Sequence, residues 1–137
     1  MNSSHSAQET REGIVYSTHA LQAGARGDRI IWALHKVALM NGIVPLAPTP
    51  VISEAYRIVS DRVQLDQFSK GLEAIQTTLD TAKSIGELGA QVDTPDLNSI
   101  AVVLEASKRN RAVIGYRQNP MRAAAEILNH QIVSFTL

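Results

Sequence analysis

Five short apolar, β-prone runs recur along the chain: GIVY (13–16), IVPLA (43–47), LEAIQT (72–77), AVIG (112–115) and QIVSF (131–135). Every gap between them holds at least one stretch of helical periodicity. This alternation constrains the fold more than any other feature. Strands joined through helices cannot pair as hairpins, and the crossover makes them parallel, with right-handed connections and helices on both faces. The sequence therefore predicts an α/β protein, a three-layer α/β/α arrangement around a central parallel sheet of about five strands.

The helical segments carry their own boundary signals. Asp28 can cap a helix that runs to about Met40, with Ile31, Leu34, Val37 and Ala38 on one face, and Asn41-Gly42 ends it. Pro48 and Pro50 mark the corner before a helix over 51–59, and a short helix follows around Val63–Ser69. Thr78 or Asp80 starts the next helix, Asp96 caps another over 96–110, and MRAAAEIL (121–128) is the last. Trp32 reads as packed core. No repeat or linker divides the chain, so a single domain is expected over 12–137, preceded by a disordered tail over 1–11.

Composition removes several function classes. Thirteen basic residues balance thirteen acidic ones, so no global field draws the chain to nucleic acid or anionic lipid. The absence of cysteine removes disulfides, thiolate zinc sites and thiol nucleophiles together. No apolar run approaches the length of a membrane span, and MNSSHSAQETRE lacks the apolar core of a signal peptide. A cytoplasmic location is the expectation, with no membrane partner.

Ligands and chemistry collect at the carboxyl ends of parallel strands. The first such corner, VYSTH, offers Ser17 and His19. It lacks both glycines of a nucleophile elbow, so Ser17 reads as a helix cap and His19 as a polar residue of the first turn. Glu54 lies among Val51, Ala55 and Ile58 on its helix; spacing leaves open whether it pairs with Arg57 or points into a site at the sheet edge. Lys108, Arg109, Arg111, Arg117 and Arg122 form a stretch without acids. A solvated loop is its plain reading, and a phosphate-binding edge the sharper one.

Taken in order, three blocks resemble the PIN-domain family, which includes VapC-like toxin ribonucleases of bacterial toxin–antitoxin pairs. GIVYSTHALQAGARGDRIIWALHKVAL is similar to a G-x-V-Y-D-T-G-A-L strand and turn followed by R-G-D-R and a W-A-L-H helix. PLAPTPVISEAYR resembles the family's strand–Pro–V-[IL]-x-E-x-[WY]-R segment, and TPDLNSIAVVLEASKRNRAVIG its T-x-D-x-x-D-A-x-V-V-x-x-A helix and following strand. The resemblance covers roughly 12–118 and implies the sheet order 3-2-1-4-5.

The family's activity implies four acids that hold hard divalent cations and activate water against a phosphodiester. Carried over position by position, the first falls on Ser17, the second on Glu54, the third on Ser99 and the fourth near Arg117. Only Glu54 is acidic. Asp96, one turn before Ser99, is the remaining stand-in, and His19 replaces a usual glycine. The charge of the ligand set falls from about −4 to about zero, and a cation about 4 Å from a guanidinium is repelled by roughly 4 kcal/mol at an effective dielectric of 20.

The resemblance thus implies a degenerate active site in a catalytically inactive RNA- or phosphate-binding or assembly module, with no cofactor expected. Lys108, Arg109, Arg111 and Arg117 are the ligand-binding candidates, and Arg117 is expected to face Glu54 across the former metal site. The alternative is a ribonuclease using Mg or Mn at a reduced site of Glu54, Asp96 and His19. A homodimer through the apolar early helices (Ile30, Ile31, Leu34, Val37, Leu39) is expected, and RNA or an antitoxin-like protein is a possible partner.

Overall fold

A computed structural model describes residues 13–115 and 117–134. The expected tail over 1–11 lies outside the described residues, as does the last residue of the QIVSF run. Five strands form one parallel sheet in the order β3-β2-β1-β4-β5. They are β1 (Ile14–Tyr16), β2 (Leu46–Pro48), β3 (Glu73–Ile75), β4 (Ala112–Gly115) and β5 (Ile132–Ser134). Between them lie α1 (Thr18–Arg26), α2 (Arg29–Met40), α3 (Thr49–Ile58), α4 (Arg62–Ser69), α5 (Leu79–Gln91), α6 (Leu97–Arg109) and α7 (Met121–Ile127).

Right-handed crossovers decide the layers. The chain steps from β1 outward through β2 to β3, which carries α1 to α4 over one face. It then returns to β4 and β5, which carries α5 to α7 over the other. The architecture is therefore three-layer α/β/α. Central β1 is buried along its length, with Val15 opposite Leu46 on one side and Val113 on the other.

Several boundaries differ from the sequence reading by a residue or more, and two of them do so because of proline. IVPLA was expected to pair from Ile43, yet the strand starts at Leu46. The Ile43 amide instead bonds the Ala38 carbonyl and completes the end of α2, and pairing begins where the Pro45 carbonyl accepts from Glu73 N. In the following helix Pro50 sits within the first turn, where no amide proton is needed, so α3 starts at Thr49.

Helix α2 has two apolar stripes, and the sequence reading merged them. Ile31, His35 and Ala38 face the core; Ile30, Val37 and Met40 are exposed at 59%, 56% and 78%. Ile31 therefore belongs to the core and not to any surface available for assembly, while Val37 leaves the core face. His35, unremarked in the sequence, is buried in a cluster of rings. It stacks on Phe68 at 4.2 Å between centroids, and Tyr16 and Trp32 close the group. Trp32 is half-buried, its indole N–H donating to the Gly24 carbonyl at 2.9 Å. Gly24 has to be glycine here, since a Cβ would stand 2.6 Å from the Phe68 ring.

Candidate functional site

The sheet order reverses between β1 and β4, and the crevice at their carboxyl ends is where an open α/β sheet takes its ligands. Ser17 follows β1 at this point. It is 2% exposed; its amide donates to Ile114 O, and its Oγ accepts from Ala20 N as the cap of α1. Its hydroxyl is thus committed to the helix start, as the sequence suggested. β4 ends in Gly115 for the same reason of space: a Cβ there would lie 2.9 Å from Ser17 Oγ.

Glu54 enters the site from α3, half-buried. Its Oε1 accepts from Thr18 Oγ1 at 2.9 Å and from Asn98 Nδ2 at 3.0 Å. Both donors sit in the first turn of helices that start at the carboxyl edge, and the sequence reading missed both. The available signal was their position: short polar side chains just inside α1 and α6. Among the described residues Glu54 forms no ion pair with Arg57 or Arg117. Two neutral donors hold the carboxylate in the site at the sheet edge, the second of the alternatives that spacing had left open.

Asp96 is the N-cap of α6, as expected. Its Oδ1 accepts from Ser99 N and its Oδ2 from Ser99 Oγ at 2.7 Å. Glu54, Asp96 and Asn98 line an open depression of about 370 Å³. His19 lies beside it. Burial pushes its pKa below the ordinary 6.5, the fields of Asp96 and Glu54 oppose that shift, and Arg26 reinforces it. The structure therefore brings Ser17, His19, Glu54, Asp96 and Ser99 to one edge of the sheet.

It does not bring the basic candidates there. Helix α6 runs antiparallel to the strands, so Asp96 and Ser99 stand at the carboxyl edge and Lys108 and Arg109 at the amino edge. Lys108 donates to Thr81 Oγ1 at 2.6 Å, and both Lys108 and Arg109 pair with Glu105. Arg111 lies over Gly13 and reaches the Val44 carbonyl, also at the amino edge. Arg117 follows β4 at the carboxyl edge but is exposed, and its Nε donates to Ile132 O on β5 at 2.9 Å. β5 is two strands from β1, about 10 Å across the sheet. The expectation that Arg117 faces Glu54 is corrected: a backbone carbonyl captures its guanidinium first.

A hard divalent cation asks for several free anionic oxygens. Here Ser17 Oγ caps a helix, one Glu54 oxygen takes two hydrogen bonds, and both Asp96 oxygens serve the start of α6. Among the described residues no group of three or more His, Asp or Glu side chains could hold a metal ion. The residues present do not fit the metal that the family resemblance implies.

The fold has a solved counterpart. A chain of VapBC2 from Rickettsia felis, in a crystal structure bound to a DNA fragment from their promoter, superposes with a TM-score of 0.69. The two share 16% identity over 90% of this chain and 99% of the other. The fold is PIN-like. At that identity the likeness is one of architecture alone. No protein-family model matches the chain, and no curated protein sequence does. Among the described residues no helix is long and apolar enough to cross a membrane.

The buried histidine is expected to make the fold sensitive to acid. His35 Nδ1 accepts from the Tyr16 hydroxyl at 2.8 Å, and burial holds its pKa below 6.5, partly offset by a bond to the Phe68 backbone. Burial likewise raises the Tyr16 pKa, keeping the phenol protonated as the donor. A depressed histidine pKa means that the unfolded chain binds the proton more readily. The contribution of His35 is therefore expected to be flat above about pH 6.5 and to be lost as pH falls toward the folded value. His19 adds in the same direction. The melting temperature should drop between about pH 7 and 5, and His35→Gln should flatten that dependence. Parallel pH profiles for parent and variant would contradict the assignment to His35.

Proposed function

We propose that this PIN-like domain has lost metal-dependent nuclease chemistry and works as a binding or assembly module, as a homodimer in the cytoplasm. The observation that carries the reading is the hydrogen bonding of Glu54. The only acid at a matching metal-ligand position is held by Thr18 and Asn98, and Asp96 is occupied with the start of α6. Three further carboxylates would be required for the family chemistry, and Ser17, Ser99 and Arg117 stand in their positions.

Assembly is supported by the outer stripe of α2. Ile30, Val37 and Met40 recur at helical spacing and are well exposed, with Val44 just beyond the helix end. An isologous contact between two copies would cover this stripe once on each protomer. The structural counterpart comes from VapBC2 bound to DNA, and an antitoxin-like protein is proposed as a second occupant of the same kind of surface.

A ribonuclease with a reduced site is the second reading. It is supported by His19, which lies in the electrostatic field of both Glu54 and Asp96. One titration of RNA with and without Mg²⁺ or Mn²⁺ separates the two. The module reading expects no cleavage with either cation. Metal-dependent turnover abolished by Glu54→Gln would establish the nuclease instead. Light scattering tests assembly: the expected mass is twice 14.9 kDa, falling to the monomer in Val37→Asp/Met40→Asp. A monomeric parent across the concentration range would remove the dimer.

A further inference from the structure

We infer that the crevice between α7 and β5 is a binding site for a phosphate-type oxyanion, with Arg117 and Arg122 as its two cationic arms. The cavity measures about 380 Å³ and opens to solvent. That volume falls in the usual range of small-molecule sites, roughly 300–1,000 Å³. Its floor is apolar: Ala125 and Ile132 are each only 5% exposed. Its polar rim includes Arg117, Arg122 and Gln131.

Arg117 is pre-positioned for this task. Its Nε bond to Ile132 O fixes the guanidinium against the cavity wall and uses one of five donors. The Nη groups of a guanidinium so held present the planar fork that matches two oxygens of a phosphate. Arg122 adds a second cation to the lining from the first turn of α7. Neither arginine forms an ion pair with an acid among the described residues. Arg109 and Lys108, by contrast, are both engaged by Glu105. The charge on Arg117 and Arg122 is unspent where the other cluster's is not.

Two further groups line the cavity. Glu126 is exposed on the rim and works against an anion. His130 has Nε2 at 2.6 Å from Arg111 O; since a carbonyl can only accept, that nitrogen is the donor and the ring is fixed in place. Two guanidinium groups against one carboxylate leave the cavity positive. The ligand class is therefore a phosphate group, either free or carried on a nucleic-acid backbone.

This inference gives a location to the binding half of the reading above, and it can fail separately from it. Cleavage assays and particle mass test that reading; anion titration tests this site. The full chain would be titrated at low salt with inorganic phosphate, with a 5′-mononucleotide and with a short single-stranded RNA, by calorimetry. Saturable phosphate binding is expected, weakened at least about tenfold by Arg122→Gln and by Arg117→Gln. Glu126→Gln should tighten it, and Lys36→Gln, exposed on α2, should leave it unchanged. Arg122→Gln alters an exposed side chain and keeps the test decisive if Arg117→Gln fails to fold. RNA binding much tighter than inorganic phosphate, and equally sensitive to Arg122→Gln, would assign the site to a phosphodiester backbone. Equal affinities would assign it to a free phosphate. No saturation by about 20 mM phosphate or RNA alike, or affinity indifferent to both arginines, would overturn the inference.

Discussion

Phe68→Ala is expected to destabilise the domain by about 3–5 kcal/mol. The ring is fully buried and sits at the centre of the aromatic cluster, stacked on His35, edge-on to Trp32 and tilted against Tyr16. Its other face meets the backbone of α1 at Gly24, which has no side chain to move into the vacancy. Neighbours fixed by hydrogen bonds also relax poorly. Tyr16 is tied to His35, and Trp32 to the Gly24 carbonyl. A loss of this size is a large share of the roughly 5–15 kcal/mol that stabilises an ordinary domain. Urea unfolding followed by circular dichroism measures it directly. A change below about 1.5 kcal/mol would mean that the cluster collapses around the cavity, contrary to the rigidity argued here.

The second large effect concerns Glu105, which is 1% exposed in the middle of α6. Arg109 pairs with it one turn on, and Lys108 Nζ lies 3.7 Å from the same oxygen. Removing both cations would leave a buried carboxylate without a partner, so Lys108→Met/Arg109→Met should cost about 3–5 kcal/mol. Glu105→Gln should cost less, about 1 kcal/mol, because Lys108 and Arg109 are partly exposed and can turn their charges to water. The asymmetry is the test. Equal losses from the two variants in thermal or chemical unfolding would show that the carboxylate is not the group in need of compensation.

Much of the fold was legible because its signals are local. The five apolar runs, the caps at Asp28, Thr78 and Asp96, and the turn at Asn41-Gly42 each depend on neighbours within a few residues. Alternation of strand and helix then allowed only parallel pairing. The resemblance supplied the strand order that the structure adopts. Ser17 was legible at the carboxyl edge for the same reason, since it directly follows a parallel strand, and the resemblance implied that Glu54 and Ser99 converge on it.

Contacts across the chain were not legible. Glu105 reads as an ordinary surface residue of a helix with a basic end, and only the packing of α6 against the sheet buries it. Helix α2 carries two apolar stripes, and its sequence does not say which one faces inward; the ring cluster around Phe68 selects Ile31 and His35 and leaves Val37 and Met40 outside. Glu54 could have met Arg57, Arg117 or neutral donors. Thr18 and Asn98, 36 and 44 residues away, reach it because α1 and α6 both start beside α3. Arg117 has the reach to turn toward β1 or β5, and the Ile132 carbonyl holds it at β5. The sequence by itself determined the elements and their order along the chain, because those follow from local periodicity, and the resemblance implied which residues would meet at the carboxyl edge. The tertiary structure alone decided which of those residues bond to one another, because hydrogen-bond partners depend on distances between elements that no local pattern encodes.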